Sequence, residues 1–238
     1  KNVISRDALD KENPQDGYEA LKNIAGVSNA SAKGTVSDNL NIRGIQLDTY
    51  SKNKKKKKEE LVNIIAITYE NKERIEALKG ANALMYGLAS PAGMVNLVTK
   101  QATAKDVTTL GVSANSFGGY GANVDLGRRF GADKQFGLRV NLSGAHLESG
   151  VRGGDGHGQF GSVSADWVVN SSLKLKFDYE RYSRDVIEQS QIQQLKPMNG
   201  VIPIPHVPDK RQLLSDPWAH YRPKMENLQF RADYAVNR

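Results

Sequence analysis

The chain of 238 residues contains no cysteine and no long apolar run. Disulfides and thiolate metal sites are therefore excluded. A membrane-spanning helix is excluded as well, because it needs about 20 consecutive apolar residues. The mean hydropathy of -0.54 still allows a β-barrel, whose strands are apolar on only one face. The chain begins at Lys1, without a methionine or a signal peptide, so we expect a processed or trimmed piece of a longer protein.

Motifs of the common catalytic classes are also missing from the sequence. There is no Gly-x-Ser-x-Gly elbow, no Walker loop and no His-Glu-x-x-His pair. Glycine-rich residues 153–158 lack the acidic spacing of a calcium loop, and no helix follows them to bind phosphate. The spacing of His157, His206 and His220 matches no metal-binding motif, and His146 lies at a predicted strand end. We expect neither an enzyme nor a directly bound metal or cofactor.

Positive charge is concentrated in one short segment of the chain. The formal net charge is +7, Lys54 to Lys58 supply five of those charges, and 7 − 5 leaves +2. A lysine block repels itself and cannot pack, so we interpret it as a solvated loop. An electrostatic trap for an anionic ligand and an altered stretch of sequence are the two alternatives. Because the basicity is local, nucleic acid is not indicated as a partner.

The first hundred residues predict a small α+β unit. Residues 3–9 are predicted to run from a strand into a short helix, and a second helix is predicted with Asn13 as N-cap and Pro14 at its first position. Tyr18 belongs to the apolar stripe of that helix, and we interpret it as core packing, with ligand contact as the alternative. Strands are predicted at residues 40–45, 61–69, 75–78 and 94–99, and a one-turn helix at residues 81–86.

From Val107 onward, the sequence alternates apolar and polar residues in segments of about the ten-residue length of tilted membrane strands. Leu138 and Leu142 belong to one predicted face, together with Phe136 and Val140, and Arg139, Asn141 and Ser143 to the other. No helical crossover interrupts the series, which predicts an antiparallel meander of roughly six strands. The predicted strands are residues 107–117, 120–130, 135–147, 159–169, 173–183 and 227–236.

The connections favour a barrel over a soluble sandwich. The links at residues 131–134 and 170–172 fall at one end of the sheet, and both are tight turns. The links at the other end are residues 118–119, then 149–158, then about forty residues from Asp185 to Met225. Short turns at one end and long loops at the other are typical of outer-membrane barrels, whereas a sandwich has no reason to sort its loops this way.

Four stretches of the sequence closely resemble the plug-domain motifs of TonB-dependent outer-membrane receptors. They are Asn-Ile-Arg-Gly-Ile at residues 41–45, Glu-Arg-Ile-Glu-Ala-Leu-Lys-Gly at 73–80, Ala-Leu-Met-Tyr-Gly at 83–87 and Ser-Pro-Ala-Gly-Met-Val-Asn-Leu-Val-Thr-Lys at 90–100. The resemblance implies an α+β plug domain over residues 1–105 and the N-terminal part of a transmembrane β-barrel over residues 106–238. Plugged transporters have about 22 strands, so most of the barrel is expected outside this chain.

The resemblance also implies a function. It implies a receptor of the Gram-negative outer membrane that binds a ferric siderophore and imports it into the periplasm with energy supplied through TonB. Outer-membrane lipid or lipopolysaccharide would be a further partner, and phages or bacteriocins could use the same surface. Receptors for cobalamin, haem, metal ions or glycans share these motifs, and a non-transporting basic binding module is the alternative from another class.

Two sets of site residues follow from this expectation. The resemblance implies that Arg43 and Lys79 face the barrel wall and pair with carboxylates beyond Arg238, with a solvated Arg43 as the alternative. Side chains of the long loop and the plug apex are candidates for contact with the ligand. For the loop aromatics, an interfacial girdle or packing within the loop is the alternative. The candidate ligand contacts are Tyr50, Tyr182, His206, Trp218, His220 and Tyr221.

Overall fold

The computed structural model describes residues 2–14, 17–29, 37–38, 40–46, 64–65, 69–80, 93–148, 150–187, 197, 200–202, 209 and 211–236. Lys54 to Lys58, Tyr50, His206 and the predicted helix at residues 81–86 lie outside these ranges. No helix among the described residues is both long and apolar enough to cross a membrane. The described elements form a mixed α/β unit followed by one large antiparallel sheet.

In its described residues, the α/β unit contains two short helices and three small sheets. Its sheets have the strand orders β1-β7-β8, β2-β4-β5 and β3-β6, all antiparallel. Leu9, Leu21, Leu40, Ile42 and Ile75 lie at its centre, each no more than 2% exposed. The elements are β1 (Asn2–Ser5), α1 (Arg6–Glu12), α2 (Gly17–Leu21), β2 (Val27–Asn29), β3 (Ser37–Asp38), β4 (Leu40–Ile42), β5 (Ile45–Gln46), β6 (Ile64–Ile65), β7 (Lys72–Lys79) and β8 (Gly93–Thr99).

The helix ends differ from the prediction at Asn13. Helix α1 begins at Arg6 and is capped by Ser5, whose hydroxyl accepts a hydrogen bond from the Ala8 amide at 3.3 Å. Asn13 was predicted as the N-cap of the second helix and instead ends the first, with φ 42° and its amide donating to the Leu9 carbonyl. Asparagine tolerates this left-handed conformation, so it serves equally well as a C-cap. Tyr18 packs against the apolar centre, as the core interpretation predicts.

Arg43 lies in a hairpin turn, which corrects its predicted place inside a strand. Arg43 and Gly44 join β4 to β5 and have φ values of 54° and 77°. A two-residue turn with both φ values positive matches the right-handed twist of the paired strands, and glycine at the second position favours it. The Arg43 residue is exposed, so the cost of burying its charge does not arise.

The second part of the structure, called the sheet below, is formed by β9 to β15. Consecutive strands from β9 to β13 pair in order, and both β14 and β15 pair with β13. This antiparallel meander confirms the predicted succession of strands. The strands are β9 (Val107–Ala114), β10 (Tyr120–Phe130), β11 (Phe136–Glu148), β12 (Asp155–Val168), β13 (Leu173–Ile187), β14 (His220–Tyr221) and β15 (Lys224–Tyr234).

The two faces of the sheet have opposite chemistry, as the alternation predicts. On β11, Leu138 and Leu142 are exposed on the outer face, whereas Arg139 and Asn141 are buried on the inner face. Strand β12 begins at Asp155, within the region predicted as loop, and β13 continues to Ile187. The predicted loops at these strand ends are therefore too long. A Cβ atom on Gly156 would lie 2.4 Å from the Asp185 carbonyl oxygen, so glycine is what allows β12 and β13 to stay paired there.

Candidate functional site

Two segments of the α/β unit face the inner side of the sheet. Residues 70–72 lead into β7, and residues 100–102 follow β8. They are neighbours because Lys72 lies opposite Thr99 in the β7–β8 register and the Lys100 amide donates to the Asn71 carbonyl at 2.8 Å. One hairpin end thus presents both segments to the sheet, and we call these segments the contact edge.

The strongest contact of the contact edge is a buried triad of charges. Lys100 Nζ lies 2.6 Å from Asp125 Oδ2 on β10. Arg139 on β11 holds the same carboxylate through both of its oxygens, at 2.5 and 2.8 Å. The three side chains are only 7% to 9% exposed. Burial lowers the pKa of the Lys100 ammonium, although the hydrogen bond and the charge of Asp125 act in the opposite direction.

A second ion pair lies two strands away along the same inner face. Lys72 Nζ is 2.7 Å from Glu180 Oε2 on β13, and Asn71 donates to that oxygen at 2.8 Å. Glu180 also accepts from Asn227 of β15 at 3.3 Å, so one carboxylate joins the contact edge to two strands of the sheet.

Hydrogen bonds between one charged and one uncharged group add to the interface between the two parts of the structure. Ser143 donates to Glu70 at 2.9 Å, Gln101 donates to Asp178 at 3.2 Å, and Arg129 donates to the Ala102 carbonyl at 3.1 Å. Together with the triad and the second ion pair, these contacts reach strands β10, β11 and β13. The contact edge is therefore fixed to the polar face of the sheet by directional contacts.

The energetics of this interface differ from those of an apolar contact. Buried ion pairs with good geometry offset most of their own desolvation cost, so their net contribution is small. Removing one partner leaves an uncompensated buried charge and costs about 3–5 kcal/mol. Water could solvate each of these groups if the interface opened. The arrangement therefore favours one position of the α/β unit without making its hydrated alternatives prohibitively unfavourable.

A cavity of about 580 Å³ lies between α1 and the inner face of the sheet. Arg6, Asp10 and Glu70 line it on the side of the α/β unit, and Tyr182 and Arg184 line it on the side of the sheet. Tyr182 is 6% exposed and packs against Phe160. Among the candidate ligand contacts that the structure describes, Tyr182 thus lies in the wall of this cavity.

The other described candidates lie near the far end of β13. His220 Nδ1 is 2.6 Å from Asp185 Oδ1, and Arg222 contacts the other oxygen of that carboxylate at 2.7 Å. Trp218 is 78% exposed, and Tyr221 lies opposite Val186 and is also exposed. The structure therefore groups Trp218, His220 and Tyr221 on one short segment and leaves Tyr182 apart. Their role in ligand binding stays a prediction.

Arg43 and Lys79 lie together at another corner of the α/β unit. Lys79 Nζ donates to the Ala25 carbonyl, and the Arg43 amide donates to the Gly26 carbonyl at 2.8 Å. A Cβ atom on Gly80 would lie 3.6 Å from the Arg43 guanidinium, so the arginine side chain passes close to both glycines. Pairing of these cations with carboxylates beyond Arg238 stays a prediction.

Sequence reasoning did not identify Lys72 and Lys100 as residues that hold the two parts together. The inner-face position of Arg139 was predicted from alternation alone. The cations of the contact edge carry no such periodic signal, because they lie where β7 begins and just after β8 ends. The one available signal was charge complementarity between acidic inner-face residues and nearby lysines of the preceding unit.

Comparison with known proteins supports the interpretation of both parts. Residues 1–94 match the family model described as "TonB-dependent Receptor Plug Domain". The chain is 31% identical over 232 residues to the ferrichrome receptor FcuA of Yersinia enterocolitica, a match that covers 92% of this chain and 29% of that receptor. It is also 31% identical over 108 residues to the metal-pseudopaline receptor CntO of Pseudomonas aeruginosa, covering 45% of this chain and 15% of that receptor.

Solved structures show the same fold over nearly the whole chain. BauA, the ferric preacinetobactin receptor of Acinetobacter baumannii, matches with a TM-score of 0.79 and 24% identity, over 99% of this chain and 35% of that protein. FpvA of P. aeruginosa bound to a heterologous pyoverdine matches with a TM-score of 0.75 and 14% identity, over 98% of this chain and 31% of that protein. The chain thus spans about a third of the length of these structures.

Proposed function

The chain belongs to the TonB-dependent receptors, and we propose that it forms part of an outer-membrane transporter that binds a ferric siderophore and imports it into the periplasm. In this proposal the α/β unit is the plug and the sheet is one side of the surrounding barrel. The domain boundary near residue 105 belongs to the same proposal.

The observation that carries the proposal is the contrast between the inner and the outer face of the sheet. Inner-face residues such as Asp125 and Glu180 hold the α/β unit through ion pairs with its lysines. Outer-face residues such as Leu142 and Phe230 are exposed apolar groups. An apolar outer face suits lipid, and a polar inner face suits a lumen containing water. A unit held on that polar face is suited to act as a gate.

The mechanism assigns separate tasks to the parts described above. Loops at the outer end would capture the chelate, and the cavity beside Tyr182 and Arg184 would offer it polar and aromatic contacts below them. Force transmitted through TonB would then separate the contact edge from the sheet. Because the contact edge is polar, water could replace each broken ion pair as the plug is remodelled.

Uptake of radiolabelled iron complexes tests the proposal. Cells that express the full-length receptor as their sole siderophore receptor would be given a panel of ferric chelates, with a matched strain lacking TonB as control. We expect at least one ferric chelate to accumulate only when both the receptor and TonB are present. Uptake of cobalamin, haem or a glycan with no uptake of any ferric chelate would replace the proposed substrate. Uptake that persists without TonB would contradict the proposed energy source.

A chelate of another metal is the second candidate, because one relative is described as a metal-pseudopaline receptor. The same assay with nickel, cobalt and zinc complexes of each chelator separates it from ferric transport. Competition between the iron complex of one chelator and its nickel, cobalt or zinc complex would show whether the receptor selects the metal or only the organic chelator.

Two further partners are part of the proposal. Lipid or lipopolysaccharide would contact the exposed apolar face of the sheet. A bacteriocin could use the outer loops, and one structure of similar fold is a complex of FpvAI with pyocin S2. Retention of bacteriocin sensitivity after deletion of the receptor gene would remove the second partner.

A further inference from the structure

Three potential metal ligands meet at the outer end of β11 and β12. The ligand atoms of His146, Glu148 and Asp155 all lie within 4.8 Å of one another. Their proximity follows from the strand register, which places Glu148 directly opposite Asp155 and His146 directly opposite His157. His146 and Glu148 are two residues apart on one strand, so their side chains share a face.

The two carboxylates face each other across the β11–β12 pairing. Like charges directly opposite each other on paired strands are destabilising. Among the described residues, no lysine or arginine pairs with Glu148 or Asp155, and the imidazole of His146 is the nearest basic group, with Nε2 at 3.5 Å from Glu148 Oε1. Tyr120 packs against that imidazole with ring centroids 5.3 Å apart, which restricts its orientation.

We propose that His146, Glu148 and Asp155 bind a divalent transition-metal ion. One imidazole nitrogen and two carboxylate oxygens form a ligand set that suits Zn²⁺ and related ions, whereas Ca²⁺ and Mg²⁺ prefer oxygen ligands alone. His157 lies opposite His146 on the paired strand, outside the group of three clustered ligand atoms. The inference depends on this register and not on the identity of the transported ligand.

The site has a structural consequence for the neighbouring loop. Glu148 ends β11 and Asp155 begins β12, so the two residues flank the connection between these strands. A metal ion bound to both would clamp the base of that connection and relieve the repulsion between the carboxylates. It would stabilise a loop at the end of the sheet that our proposed function assigns to the outside.

Zinc binding to the purified full-length receptor, without any siderophore, tests the inference. Equilibrium dialysis followed by metal analysis would compare the wild type with the His146→Ala variant and with a Glu148→Gln, Asp155→Asn double variant. We expect both variants to lose one Zn²⁺ per receptor, or to bind it at least about tenfold more weakly. The Glu148→Gln, Asp155→Asn changes keep side-chain size, so loss of binding in a receptor with unchanged circular dichroism is assigned to the ligands.

Two controls decide between this site and unspecific binding. Glu226→Gln removes an exposed carboxylate of β15, and His220→Ala removes a histidine from another part of the sheet, and neither should change the zinc stoichiometry. A tenfold excess of Ca²⁺ or Mg²⁺ should leave zinc bound. Equal zinc binding by the wild type and the double variant, or displacement of zinc by Ca²⁺, would overturn the inference. Either result would leave the transport proposal untouched.

Discussion

The centre of the α/β unit and its border with the sheet are built from opposite kinds of residue. The centre is formed by aliphatic side chains such as Leu9, Leu40 and Ile75. The border is formed by Lys72, Lys100 and the carboxylates that receive them. Apolar surface gains nothing from water, whereas a charged group can exchange its partner for water at modest net cost. Apolar packing therefore holds the α/β unit together, whereas its charged border with the sheet can separate when water replaces the ion-pair partners.

The largest expected effect is at the border. Asp125→Ala should lower the free energy of unfolding by about 3–5 kcal/mol, because Lys100 and Arg139 would be left buried without their carboxylate. Urea unfolding of the receptor in detergent, followed by tryptophan fluorescence, measures it. A loss of unfolding free energy below about 1 kcal/mol would show that water already solvates these charges. It would then contradict the contrast between a dry apolar centre and a buried charged border.

A slightly smaller loss is expected at the centre. Ile75→Ala should cost about 2–5 kcal/mol, because Ile75 is fully buried and its truncation leaves a cavity. The same urea experiment applies, with limited proteolysis to locate the weakened part. Ile75→Val is the matched control, and we expect it to cost about 0.5–1.5 kcal/mol. Cleavage of the sheet before the α/β unit would contradict the assignment.

The outer face gives a third test. Leu142→Arg should cost about 2–4 kcal/mol if the residue lies near the middle of the membrane, because lipid cannot solvate the guanidinium. Leu142→Met keeps the position apolar and should be nearly neutral. Folding yield into lipid vesicles measures both. Equal yields for the arginine and methionine variants would contradict a lipid-facing position.

Replacing the buried triad by apolar residues separates stability from function. A Lys100→Met, Asp125→Leu, Arg139→Met variant should be as stable as the wild type or more stable by up to about 1–4 kcal/mol, since buried ion pairs are often weaker than well-packed apolar groups. Siderophore uptake should fall, because water would no longer replace the lost contacts. Wild-type uptake together with raised stability would show that release does not depend on an ionic border.

The smallest effect is expected for exposed charges on the sheet. Arg181 lies 3.5 Å from Glu226, and both side chains are more than half exposed. Glu226→Gln should change the free energy of unfolding by less than about 1 kcal/mol, because solvent screens the pair. Urea unfolding at low and high salt would check this. A loss comparable to that of Asp125→Ala would remove the distinction between buried and exposed pairs.

Much of the sheet could be predicted because its signal is local. Alternation along β11 is enough to place Leu138 and Leu142 on one face and Arg139 and Asn141 on the other. The strand ends were harder to predict, because glycines such as Gly156 and Gly158 have no side chain whose polarity would indicate a face of the sheet. The role of Gly156 is visible only from the close approach of β12 to β13.

The site depends on information that no short segment contains. Pairing of Lys100 with Asp125 requires the segment after β8 to lie against β10, and the pairing of Lys72 with Glu180 joins residues 108 positions apart. The turn at Arg43 was accessible in principle, because the following glycine favours a two-residue hairpin. The resemblance drew attention to Arg43 as a cation instead of to the backbone conformation beside it.

The position of Lys100 also limits how far the α/β unit can travel. Only seven residue steps separate Lys100 from Val107, where β9 begins. At about 3.5 Å for each step, a fully stretched chain reaches roughly 25 Å. Even after every ion pair between the α/β unit and the sheet has broken, this short segment still tethers that end of the unit to β9. A wide passage would then have to arise from displacement or unfolding of the part of the α/β unit that lies farthest from this tether.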